Sequence, residues 1–460
     1  MSCRSLSVKW LAALLLLGAG SAAAHVSEMG LVLLLPTEIY TAAGAWVVAL
    51  TVGALAVVPA RVTHGVLRHW RLGPRLPRVG EMVPSLAAAA VLAGLVVAGL
   101  TGTRDPLANP LPLAVWTVFW IGLVTVQGLA GDLWRWLNPW AGLARLIAPE
   151  PVLRLPERVG CWPAILSLLA VAAFAFAHPA PDDPAVLAQA VAGYWGVHLA
   201  GCVLFGPEAW LARGEGLSLM LRLFAGLAPV GGPGLCAGIP GWRLAEAAPG
   251  TASLGLFALT TLAIGSFDGL NETFWWLAQI GVNPLEFPGR TAIIAETLGG
   301  LLGTTLLLWA VFGAAVWAGL RIARADVPLG HAFAALAPTV LPIAFGYHVA
   351  HYLTTALVNG QYVQAAMADL LGTGWDPLGL GPVTVTTSFL NTPDSVETIF
   401  QVQAGAVVLG HVLSVLLAHA AALRLIPEPR RAALSQIPLA AFMIGYTFLG
   451  LWLLASPKGA

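Results

Sequence analysis

The sequence predicts an all-α membrane protein. It is a polytopic transmembrane helix bundle of about ten spans after removal of a signal peptide, with amphipathic helices in the cytoplasmic interface. Three observations predict it. The composition is 58% hydrophobic and only 10% charged, with mean hydropathy +0.82, whereas soluble domains carry about a quarter charged residues. Ten apolar runs reach the roughly 20 residues that a bilayer span needs. Arginine is abundant in every second connecting loop and scarce in the others. The formal net charge is zero, so nothing points to nucleic acid; the lipid bilayer is the partner that the composition demands.

The first element is the leader. MSCRSLSVKW carries Arg4 and Lys9 ahead of LAALLLLGAG and the small-residue stretch SAAA. A basic start, a short apolar core and an Ala-rich end are the parts of a secretory signal peptide. Residues 1–24 are read as that signal, and 25–460 as a single transmembrane helical domain. Cleavage after Ala24 would leave His25 at the mature N-terminus. An uncleaved first helix is the alternative.

The spans follow in order at 30–59, 82–101, 111–131, 161–178, 184–206, 251–267, 291–320, 331–358, 397–424 and 435–456. The loop after the first contains Arg61, Arg68, Arg71, Arg75 and Arg78. The loop after the third contains Arg135, Arg145, Arg154 and Arg158. Arg213, Arg222 and Arg243 follow the fifth, Arg321 and Arg324 the seventh, and Arg430 and Arg431 the ninth. Positive loops stay in the cytoplasm. Both mature termini are therefore expected in the periplasm and the protein in a bacterial inner membrane.

Two cytoplasmic segments, GDLWRWLNPWAGLARL and PEAWLARGEGLSLMLRLFAGL, mix apolar residues with arginines at helical spacing and read as interfacial helices. The small-residue stretch VGGPGLCAGIPG at 230–241 reads as a flexible cytoplasmic loop. Pro36, Pro84, Pro163 and Pro342 lie in or at the start of spans and predict kinks. Cys161, Cys202 and Cys236 have no CxxC spacing and read as small buried hydrophobes.

The chemistry-bearing residues gather toward the outer half. The run YHVAHYL places His348 and His351 three apart on one helix face. His411 lies near the middle of the ninth span. Glu38 and Glu296 lie near the outer ends of the first and seventh, and Glu397 opens the ninth. Asp268 and Glu272 fall in an outer loop, and His25 and Glu28 just before the first span. Ionisable groups within spans mark sites by default. Imidazole and carboxylate together suit zinc, copper, iron or manganese, and a catalytic metal takes about three protein ligands. His348, His351 and one of His411, Glu296 or Glu38 would meet that number. A free His25 amine and ring would be a further chelator. Plain hydrogen bonding between helices is the competing reading, since HxxH lacks the glutamate of HExxH. His198 and His419 read as structural, His64 and His69 as headgroup contacts. Walker A, GxSxG and dinucleotide motifs are not found in the sequence.

The leader ending at a histidine, LLLPTEIYTAAGAWVVAL, TGTRDPLANPLP, GDLWRWLNPW and SFDGLNETFWW, in this order, resemble bacterial polytopic membrane proteins named fenitrothion hydrolase or fenitrothion hydrolase-like. The resemblance spans most of the chain. It implies hydrolysis of an apolar phosphotriester. At the His/carboxylate cluster such a step would use a metal-bound hydroxide to attack phosphorus, with Glu296 or Glu38 as general base where it is not a ligand. Two other classes use the same residues. One is a transporter or permease that couples protons or binds a metal ion. The other is a membrane metal-handling or redox partner protein. Helices broken at mid-membrane and a path reaching both sides would favour the transporter.

Overall fold

The computed structural model describes residue 32 and residues 35–73, 80–232, 234–283, 289–368, 376, 379, 381 and 383–458. The leader, His25 and Glu28 lie outside these, as do Arg75 and Arg78. Among the described residues, ten helices are long and apolar enough to cross a membrane. They are α1 (Thr37–Val57), α2 (Met82–Thr101), α3 (Pro110–Ala130), α4 (Glu157–Ala177), α5 (Pro184–Phe205), α6 (Ala252–Asn271), α7 (Arg290–Ile322), α8 (Leu329–Ala368), α9 (Pro393–Leu425) and α10 (Ile437–Ala455). The protein is a multi-pass helical membrane protein.

Capping fixes where several spans start. Asn109 accepts the Leu111 N–H at the start of α3, and Thr251 accepts the Leu254 N–H at the start of α6. Asp183 accepts the Ala185 and Val186 N–H groups ahead of α5. The Val186 bond, helped by Arg104, holds the Asp183 carboxyl below its ordinary range. The prolines occupy places where a helix loses nothing by them. Pro36 precedes α1, and Pro84 and Pro163 sit in the first turns of α2 and of Trp162–Ala177. Pro342 follows a 3₁₀ turn, Ala337–Val340, that divides α8 into Leu329–Leu336 and Leu341–Ala368.

Contacts at the ends establish that the spans alternate in direction. At the end where α1 begins, the near end, Tyr40 donates to Glu397 at 3.2 Å, Arg104 pairs with Asp183, and Thr273 bridges Lys458. At the far end, His69 meets Glu246 at 2.7 Å, Arg145 meets Glu208 at 2.6 Å, and Arg431 reaches the Ala323 carbonyl at 2.9 Å. The arginine-rich loops therefore share the far end. A small antiparallel sheet also lies there, with β1 (Trp70–Gly73), β2 (Val230–Gly231) and β3 (Leu235–Ala237) in the order β1-β3-β2. Within the stretch 230–241 read as a flexible loop, residues 230–231 and 235–237 are thus paired backbone. Gly231 and Gly232, at φ +152° and +96°, provide the turn conformation that a side chain would oppose.

Burial ranks the helices. In their most apolar 18-residue stretches α6 and α9 are each 67% buried and α8 61%, against 17% for α1 and α2. Helix α8 packs on α9, α3 and α6. It meets α9 backbone to backbone: a Cβ on Gly346 would lie 2.5 Å from the Ala406 carbonyl, and one on Gly410 2.5 Å from the Pro342 carbonyl.

The segment after α5 contributes more than an interfacial helix. It forms Pro207–Arg213 and then Gly216–Ala225, whose Leu219, Leu221, Phe224 and Ala225 are buried against α3, α4 and α8. Glu215, fully buried, caps this inward helix by accepting the Leu217 N–H at 2.8 Å and the Ser218 N–H at 2.6 Å. Tyr194 donates to the same carboxylate. Ser218 in turn accepts from Trp134 at 2.7 Å and Asn138 at 3.1 Å, which ties the Trp-rich segment into the same network.

Candidate functional site

The site is built where α6, α8 and α3 meet. Asp268 stands in the last turn of α6 and not in a loop. Gly269, Asn271 and Asp268 itself read locally as turn residues, yet α6 continues to Asn271 and carries the carboxylate into the bundle. The carboxylate is largely buried, with its side chain 13% exposed, and His351 on α8 (10%) lies against it, Nε2 to Oδ2 3.2 Å. Tyr352 donates its hydroxyl to the same Oδ2. One oxygen thus takes two donors, from consecutive residues of one helix.

Aromatic packing holds these groups. The His351 ring stacks on Tyr347 at 5.6 Å and 18° and meets Tyr352 edge-on at 4.8 Å. Tyr352 also packs on His348 at 4.9 Å, and Trp120 of α3 packs on His348 at 5.9 Å and on Tyr352 at 6.4 Å. Trp120 belongs to a π-helical stretch, Leu113–Leu123, within α3. Such segments are rare and gather at functional sites. Glycine makes room on α6, since a Cβ on Gly269 would collide with the Tyr347 hydroxyl. At the near end the C-terminal segment runs past α6: the Phe274 N–H donates to the Pro457 carbonyl at 3.0 Å, and Lys458 lies within electrostatic range of Asp268.

Between these side chains is a cavity of about 30 Å³, lined by Trp120, Asp268, Tyr347, His348, His351 and Tyr352, with Met220 and Phe224 of the inward helix. That is room for about two or three water molecules. Several buried polar atoms here have no protein partner: His351 Nδ1, His348 Nε2 and the Tyr347 hydroxyl. The hydrogen-bond network assigns the His351 proton to Nε2, facing Asp268. Its Nδ1 lone pair is then open. A proton arriving there converts the ring to an imidazolium already held by a carboxylate.

The other sequence candidates are placed elsewhere. Glu38 and Glu296 are exposed near the starts of α1 and α7, and neither lines the cavity. Glu272 is exposed just past α6. His411 is buried on α9, its Nδ1 bonded to the Val407 carbonyl at 2.8 Å, and it faces Tyr446 across a 6.4 Å ring separation. Glu397 binds Tyr40 and Gln401 at the near rim. The carboxylate that meets His351 is therefore Asp268. Among the described residues, no three His, Cys, Asp or Glu side chains converge as metal ligands. The two imidazoles with open nitrogens are one donor short of a three-ligand catalytic site. His198, read as structural, is tied at both ring nitrogens, to Ser167 at 3.1 Å and Trp210 at 3.1 Å.

Trp120 and the π-helical turn carry no signal in the sequence that separates them from other tryptophans and apolar turns. Glu215 had one: a carboxylate two and three residues before helical N–H groups is a cap pattern.

No protein-family model, no curated protein and no solved structure matches this chain.

Proposed function

We propose that this protein is a permease-class membrane protein whose Asp268–His351–Tyr352 group binds and releases a proton. The carrying observation is the His351–Asp268 pair on the wall of a cavity, with the opposite imidazole nitrogen buried and without a protein partner. Buried ion pairs contribute little to net stability, because desolvation offsets their attraction, whereas carboxylate–histidine pairs within spans mark proton and ion paths. Interrupted helices also support the reading. The α8 break at Ala337–Val340, the π-helical stretch of α3 and the inward helix Gly216–Ala225 all border the site or pack next to it. By the arginine distribution, the far end faces the cytoplasm of a bacterial inner membrane and the site lies toward the periplasm.

The proton enters as hydrated proton from the near side. It is accepted at His351 Nδ1, and Asp268 stabilises the cation. Tyr352 fixes the carboxylate so that Oδ2 faces the ring.

Purified protein in liposomes loaded with a pH-sensitive dye should pass protons when a potassium diffusion potential is applied. Asp268→Asn, which keeps the shape and removes the charge, should lower that flux at least tenfold. Flux in the Asp268→Asn protein equal to wild type, or none above protein-free liposomes in the wild type, contradicts the proposal. Release of nitrophenol from an apolar triester, lost together with bound metal in His348→Ala and His351→Ala, would instead establish the phosphotriester hydrolase that the resemblance implies.

A further inference from the structure

We infer a hydrated proton route that runs from the Asp268–His351 site to the far end beside α9, along α6 and α10 in its near half and along α1 and α10 in its far half, with His411 as its central carrier. The inference rests on the proton reading of that site and extends it across the bundle.

Polar groups recur along this line. Two residues before Asp268, the Ser266 hydroxyl lies 2.5 Å from the Tyr446 hydroxyl of α10. Tyr446 faces His411 on α9. His411 is 1% exposed, and its Nε2 has no protein partner. One turn on, the fully buried Ser414 hydroxyl also has none. Below it opens a second cavity, of about 110 Å³, between α1, α9 and α10. Its lining reaches up to Val415 and Met443, each one helical turn from His411 and Tyr446. At its other end His419 bonds Gln436 at 3.0 Å through Nδ1 and leaves Nε2 without a partner.

A buried polar atom with no partner costs roughly 1–3 kcal/mol. Three of them along one helix, at His411, Ser414 and His419, need a common explanation. Water supplies it. The lower cavity has room for several molecules, since each needs about 10–15 Å³. His411 to His419 spans eight residues, about 12 Å along α9, so these groups extend from Tyr446 toward the arginine-rich end.

The transfer balances at one atom. With Nδ1–H donated to the Val407 carbonyl, His411 Nε2 accepts a proton from water on the Tyr446 side. The imidazolium then returns it to water on the Ser414 side. One proton moves toward the far end, and no bond other than N–H and O–H changes.

Three measurements test the route. His411→Phe should lower liposome proton flux at least tenfold, while the infrared band of the Asp268 carboxyl, identified by its loss in Asp268→Asn, still responds to acidification. Ser414→Cys, in protein whose other cysteines are alanine, should react with a small cationic thiosulfonate, because water reaches that position. Wild-type flux in His411→Phe overturns the route, and so does an inert Ser414→Cys thiol. The cysteine result decides the matter if His411→Phe misfolds. A carboxyl band that never responds to acid overturns the reading of the Asp268 site itself.

Discussion

Glu215→Ala is expected to destabilise the protein by about 3–5 kcal/mol, the cost of breaking a buried charged network by removing one partner. Glu215 is fully buried and is the common acceptor for the Leu217 and Ser218 N–H groups and the Tyr194 hydroxyl. Its removal leaves three donors facing an apolar interior. The effect also propagates. Ser167 bonds Tyr194 at 2.9 Å, His198 at 3.1 Å and the Gly216 N–H at 3.2 Å, so the first turn of the inward helix loses its anchor. Met220 and Phe224 lie on that helix and line the proton-site cavity. Glu215→Gln keeps one acceptor and most of the shape, and should lose about 1–2 kcal/mol. Unfolding by denaturing detergent, followed by tryptophan fluorescence, reads both. An Ala variant that unfolds at the wild-type midpoint would contradict this account of the network.

Gly410→Ala is the second large effect. The added methyl would press on the Pro342 carbonyl oxygen at 2.5 Å, its carbon at 3.2 Å and the Ile343 Cα at 3.3 Å. These are backbone atoms, so no rotamer change relieves the overlap. Helix α8 must move away from α9, at a cost of about 3 kcal/mol, the upper end of the range for overpacking. Tyr347 and His348 follow Gly346 on α8, and His411 follows Gly410 on α9, so the same displacement disturbs the site. Proton flux should fall together with stability. Gly405→Ala is the control, because a Cβ there meets nothing within 4 Å. Equal stability of the two variants would rule out a tight crossing.

The spans were legible because hydropathy alone specifies them, and α2, α3 and α5 begin within one residue of where the apolar runs do. Boundaries failed where polar residues continue a helix. Helix α8 extends ten residues beyond its apolar run, to Ala368. There Gln361 pins the following segment, donating to the Thr386 carbonyl at 3.0 Å and accepting its N–H at 2.9 Å. Asp268 was assigned to a loop for the same reason: SFDGLN carries turn residues, and only the partners on α8 explain a helical carboxylate there.

The histidine pair was legible as a site, since two imidazoles on one face of a span are costly unless used. Which carboxylate joins them was not. Glu38, Glu296 and Asp268 all lie toward the near end, and the choice depends on how each helix is rotated about its axis. Weakly amphipathic spans do not announce that rotation. The π-helical turn that brings Trp120 onto His348 and Tyr352 likewise depends on packing and has no marker in LAVWTVFWIGL.

The central claim is that His351 and Asp268 form one proton-binding unit inside the membrane. Nitrogen NMR of ring-labelled histidine in lipid, with the His351 signal assigned by its loss in His351→Gln, tests it most directly. The account predicts a neutral ring with its proton on Nε2 that becomes imidazolium as the near-side medium is acidified, and a signal that moves in Asp268→Asn. A His351 signal indifferent to Asp268→Asn, or a ring that never gains a proton while the protein conducts, would contradict it.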